Sequence, residues 1–103
     1  MECHHVSIQL ARFKSDKPEE MIKAAKRAKA IFEKRGAEFF RLTRFHTGMW
    51  PGEWMTVTRY SSWAVYGEAM EGVANDAAFH KLVTEMHGFS ELMSRNITVE
   101  TDL

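Results

Sequence analysis

Residues 53–70 read EWMTVTRYSSWAVYGEAM. In the first half, Trp54, Thr56, Thr58 and Tyr60 alternate with Met55, Val57 and Arg59. A period of two is that of a β-strand with unlike faces, here one apolar and one polar-aromatic. Ser61 and Ser62 end the alternation, and Trp63, Tyr66, Met70 and Val73 then fall on one helical stripe. A strand that runs into an amphipathic helix requires further elements around it, because neither can bury its apolar face alone.

Those elements are readable on both sides. Val6–Phe13 alternates Val6, Ile8 and Leu10 against Ser7, Gln9 and Ala11, the pattern of a first strand. Asp16 with Glu19 three residues on has the form of a capping box, and Pro18 suits a first helical turn. Glu19–Arg35 is then a helix with Met21, Ala25, Ala28 and Phe32 on its apolar stripe, and Gly36 stands where a C-terminal cap belongs. Glu38–His46 reads as the second strand. The short loop Thr47–Gly52 implies a hairpin into the third, Trp54–Tyr60. Ser62 can cap a helix running to about Ala74, and Asn75-Asp76 breaks it. Asp76 can cap a second segment carrying Phe79, Leu82, Val83 and Met86. Ser94–Asn96 reads as a turn before a last strand, Ile97–Asp102. The order βαββαβ predicts an α+β, ferredoxin-like domain: a four-stranded antiparallel sheet with helices on one face. A chain of 103 residues accommodates one such domain, residues 1–103, and not two.

Composition narrows the function. Hydrophobic residues make up 45% and charged residues 27%, as in an ordinary globular protein. Formal net charge is zero, so there is no basic excess to neutralise phosphates and no nucleic-acid partner is expected. No apolar run approaches ~18 residues, so no membrane span is expected. The start MECHHVSIQLARF lacks the pattern of a secretory leader. The single cysteine, Cys3, has no partner for an internal disulfide, and the expectation is a reducing, cytoplasmic setting.

The strand parities set a further expectation. Packing the more apolar parity of each strand under the helices would cover Val6, Ile8, Leu10, Phe40, Leu42, Met55, Val57, Ile97 and Val99. The opposite face would show Gln9, Phe39, Arg41, Trp54, Thr56, Tyr60 and Glu100, too aromatic for water and too polar for a dry core. Two such faces packed about a two-fold axis would form a homodimer. That interface would either enclose a small-molecule pocket or be filled by Phe39, Phe45, Trp54 and Tyr60.

Several residues are candidates for chemistry. Trp54, Trp63 and Tyr60 with Arg41 can stack and hydrogen-bond a planar substrate. Arg41 would orient or stabilise an anion, or else pair structurally with Glu100. Gln9 and Thr56 would hydrogen-bond the substrate, and Trp54 and Trp63 would wall it. His80 and His87 are seven apart, about 10.5 Å along a helix, too far for that pair alone to hold one metal ion. One of them can move protons, with an ordinary boundary histidine as the competing reading. In Cys3-His4-His5, adjacent strand residues point to opposite faces, so no metal site is expected there. Thr47–Gly52 can serve as a lid or simply pack Trp50.

The βαββαβ order, the helix opening SSWAVYGEAM and the later NDAAFHKLV resemble the dimeric α/β-barrel superfamily. The resemblance spans roughly Val6 to Asp102. It implies a homodimer with a pocket between sheet and helices, and Phe79-His80 matches its D-x-x-F-H-like segment, which favours His80 over His87. The superfamily includes cofactor-independent quinone-forming monooxygenases, ring-isomerising enzymes, haem-degrading monooxygenases and stress-responsive dimers. The expected function is therefore a cofactor-independent monooxygenase or isomerase acting on an aromatic or hydrophobic substrate. The alternatives are a haem protein with His80 as ligand and a non-catalytic stress-responsive module. Gln9 stands where the quinone-forming and haem-degrading relatives carry Asn.

Overall fold

The computed structural model describes residues 7–101 and residue 103. The Cys3-His4-His5 run and Val6 lie outside the described residues. The elements run β1 (Ser7–Lys14), α1 (Pro18–Lys34), β2 (Phe39–Arg44), β3 (Trp54–Tyr60), α2 (Trp63–Ala74), α3 (Ala77–Met86) and β4 (Glu91–Val99). The strands form one antiparallel sheet in the order β2-β3-β1-β4. This is the expected ferredoxin-like arrangement, with the second helical region split in two.

Local signals explain most boundaries. Ser62 caps α2 by accepting from the Val65 N–H at 3.1 Å. Asp76 breaks the helical region and caps α3, its Oδ1 accepting from Ala78 N at 2.9 Å and Phe79 N at 3.3 Å. Gly36 follows α1 with φ 122°, a backbone conformation that glycine adopts without a side-chain penalty. Two expectations fail. The Asp16–Glu19 capping box does not form, because the helix starts at Pro18 and Lys17 occupies the cap without a side-chain bond. Ser15 acts instead, accepting from Lys17 N at 3.1 Å and donating to Phe89 O at 2.6 Å. The last strand begins at Glu91, so Ser94–Asn96 belong to it. At a sheet edge the backbone ladder to β1 holds polar residues in a strand that their side chains do not announce.

Register reverses the expected faces of β1 and β3. Phe40 pairs with Thr58 and Leu42 with Thr56, while Thr58 pairs with Gln9 and Thr56 with Ala11. Directly opposite residues share a face. Phe40 packs beneath α1, in a cluster with Ala24, Ala28 and Ile31, and it carries the polar parities of β1 and β3 inward with it. Trp54, Thr58 and Tyr60 are buried on that side, as are Gln9 and Ala11. Ile8, Leu10, Phe39, Met55 and Val57 share the face turned away from the helices. Leu10 lies directly across from Val57 there, and both are half-buried.

Candidate functional site

Between the sheet and the helices lies a cavity of about 980 Å³, partly open to solvent. It has a cause in side-chain size. The sheet contributes Ala11, Thr56 and Thr58, and α1 opposite contributes Ala24, Ala25 and Ala28. Small residues on both layers leave space that long side chains fill in an ordinary core. Met21, Phe40, Leu82 and Met86 add apolar wall.

Polar groups gather on the sheet side. Gln9 is 7% and Thr58 4% exposed. With its amide oriented as the neighbouring donors dictate, Gln9 Oε1 accepts from Arg95 Nε at 3.1 Å and Nη2 at 2.7 Å. Thr58 Oγ1 is buried with no hydrogen-bond partner among the described residues. Thr56 Oγ1 donates to Ala11 O over a long 3.5 Å. Beside them, Tyr60 is fully buried and its hydroxyl also lacks a partner. Burial pushes the Tyr60 phenol up; the Thr58 hydroxyl lies close enough to oppose this without reaching bonding geometry. Tyr66 raises it further and the Arg95 charge lowers it.

Arg95 faces the cavity by regular alternation with Ile97, which pairs with Gln9. Arg95 pairs with Ala11, whereas Leu92 pairs with Phe13, and the register shifts between Arg12 and Phe13. Leu92 and Arg95 are three residues apart and would alternate faces in a regular strand. The extra residue turns Leu92 to the side Arg95 already faces, and both line the cavity. His87, just past the end of α3, and Glu91, at the start of β4, also line it.

The expected site residues divide. Gln9 and Thr56 line the cavity. Trp54 and Tyr60 share their sheet face but stand outside the lining. Trp54 donates from Nε1 to Ser15 O at 3.4 Å, and Tyr60 meets Tyr66 edge-on at 5.1 Å between centroids. Trp63 is exposed and reaches the cavity only through its edge contact with Tyr66 at 5.9 Å. Arg41 lies on the other face of the sheet, its guanidinium 4.0 Å from the Phe39 ring centroid. The expected pairing of Arg41 with Glu100 gives way to Arg59, which donates to Glu100 at 2.9 Å and Glu38 at 2.8 Å. Arg59 is one strand nearer, on β3.

His80 is exposed, with Nε2 2.6 Å from the Ala74 carbonyl across the α2–α3 corner. It is not among the cavity-lining residues, so it does not fit the role of a haem ligand there. No group of three or more metal-binding side chains occurs among the described residues, and no helix among them is long and apolar enough to cross a membrane. Phe45 and Trp50 pack edge-on at 5.4 Å, with Arg12 stacked on Trp50, which gives Trp50 of the Thr47–Gly52 loop a packing role. Arg95, Thr58 and Tyr66 were not singled out from the sequence as site residues. Arg95 fell in an expected turn, and Thr58 gained its role only from the register.

No protein-family model matches the sequence, and no curated protein sequence is similar to it. Solved structures do match. The chain resembles SnoaB, a cofactor-independent oxygenase from Streptomyces nogalater, at TM-score 0.73 and 14% identity, over 98% of this chain and 97% of that one. A NIPSNAP domain protein from Burkholderia xenovorans superimposes at TM-score 0.71 and 14% identity, covering 96% and 94%. A dimeric ferredoxin-like protein from an uncultured marine organism matches at TM-score 0.67 and 12% identity, covering 96% and 98%. The fold is therefore the ferredoxin-like one. Identities this low carry the fold and not the activity.

Proposed function

We propose that the protein is a small-molecule enzyme, a cofactor-independent monooxygenase or isomerase, whose aromatic or hydrophobic substrate occupies the cavity between sheet and helices. The observation that carries this is the pairing of a large apolar space with the buried, unpartnered Thr58 hydroxyl on its sheet side. Mostly apolar cavities with a few convergent polar groups are the usual form of ligand sites. The likeness to a structure described as a cofactor-independent oxygenase agrees with this reading.

Both reactions begin by removing a proton from carbon. His87 stands at the cavity and is the base in this proposal, since a neutral imidazole suits that step. Thr58, Thr56 and the Gln9 amide hold the substrate oxygen. In the oxygenase reading the resulting carbanion reduces molecular oxygen. A methylene becomes a carbonyl, one oxygen atom stays in the product, and the other leaves as water with the two methylene hydrogens. Two copies meet through the sheet face carrying Leu10 and Val57, and the homodimer works in the cytoplasm.

Oxygen uptake tests the proposal, measured with a panel of polycyclic phenols that carry an acidic ring methylene, alongside a proton-exchange assay for isomerisation. Turnover that His87→Ala lowers at least tenfold supports it. Ligand binding without oxygen uptake or exchange would reduce the site to a carrier.

A further inference from the structure

We infer that the cavity selects an amphipathic organic acid, a molecule with an apolar body and one negative charge, and that Arg95 seats that charge. The inference rests on the reading of the cavity as the ligand site.

The argument begins with how arginines are used in this chain. Arg12, Arg27, Arg35 and Arg59 each form an ion pair with a carboxylate. Arg41 and Arg44 stack on Phe39 and Trp54. Arg95 has no ion-pair partner among the described residues. Its contact is Gln9 Oε1, a neutral acceptor that meets the Nε and Nη2 edge of the guanidinium. That contact orients the group without cancelling its charge. A guanidinium has five N–H donors, so three remain for a ligand, and its planar fork matches a carboxylate. The Arg95 charge is felt inside the fold, since it lowers the pKa of buried Tyr60.

Two further features refine the ligand. The other lining residues next to this point are apolar or carry only hydroxyls: Ala11, Thr56 and Thr58. The unpartnered Thr58 hydroxyl offers a second donor on the same face. Arg95 is the one guanidinium of the lining, and Glu91 adds a negative charge there that repels further negative charge on a ligand. That balance suits a monoanion such as a carboxylate or phenolate, and not a phosphate dianion, which calls for more cations. The volume of about 980 Å³ leaves room for a body of several fused rings or a long chain.

Two dyes that share one aromatic body separate the claims. 8-Anilinonaphthalene-1-sulfonate carries a negative charge, and N-phenyl-1-naphthylamine is its neutral counterpart. The wild-type protein is expected to bind the anionic dye roughly tenfold more tightly, the scale of one charge-assisted contact. Arg95→Met is expected to remove that preference and leave the neutral dye unchanged, while Arg95→Lys restores part of it. Ala28→Leu, which narrows the cavity, should weaken both dyes. Circular dichroism checks that each variant is folded. Equal affinity for the two dyes, or no change in Arg95→Met, overturns the role of Arg95 and leaves the cavity standing. If Ala28→Leu affects neither dye, they bind elsewhere and the inference fails. If the native wild-type protein binds neither dye, the reading of the cavity as a ligand site fails with it.

Discussion

Gln9 and Thr58 face each other directly across the β1–β3 ladder, and both turn inward beneath the helices. A polar pair at the centre of a sheet face that should be core is the structural mark of this protein. Gln9 satisfies its oxygen through Arg95, while Thr58 Oγ1 goes without a partner. An unmet buried hydroxyl costs stability, so its presence needs a compensating role.

The two orphaned hydroxyls therefore predict opposite functional outcomes from similar stability effects. Thr58→Val and Tyr60→Phe each remove a buried oxygen without a partner, and each should stabilise the empty protein by about 1 kcal/mol in urea denaturation. Thr58 lines the cavity and Tyr60 does not. Thr58→Val should weaken binding of an oxygen-bearing ligand, and Tyr60→Phe should leave it unchanged. Destabilisation of both variants would show that the hydroxyls are satisfied in solution.

Asp76 predicts an acid-sensitive corner. Its Oδ2 accepts from Arg35 Nε at 3.1 Å and Nη2 at 2.9 Å, and its Oδ1 caps α3. Arg35, followed by the N–H groups of Phe79 and Ala78, holds its carboxyl below the ordinary carboxylate value. A depressed folded pKa means that the stabilisation is complete above the unfolded value. It is lost as pH falls from about 4 through the lower folded pKa. Asp76→Ala should lower the thermal midpoint by several degrees at pH 7, with the gap to wild type closing on acidification. A gap independent of pH would assign the effect to packing alone.

The sheet face turned away from the helices predicts the state of assembly. Leu10 and Val57 lie opposite each other there, with Phe39, Met55 and Ile8 on the same surface. Leu10→Glu places a charge at its centre and should convert the proposed dimer to a monomer in sedimentation velocity. Lys23→Glu, on the exposed side of α1, should leave the dimer unchanged. A wild-type monomer at micromolar concentration would refute the interface.

The order of elements was legible in the chain because it depends on local features. Ser62, Asp76 and Gly36 mark helix ends through contacts within a few residues, and the alternation in Trp54–Tyr60 marks the strand. The topology followed from that order. The inner face of the sheet did not, because alternation shows that two faces differ without showing which one the helices cover. Apolar content pointed to Ile8, Leu10, Met55 and Val57, whereas the pairing of Phe40 with Thr58 decided for Gln9, Thr56 and Thr58. Register is a relation between strands distant in sequence, and a shift of one residue exchanges every side chain between faces. Arg95 was hidden for the same reason. Its strand is stabilised by the backbone of β1, and its place beside Gln9 depends on the β1–β4 register. The sequence by itself determined which segments become strands and helices; tertiary pairing decided which side chains meet, and so where the cavity and its polar groups lie.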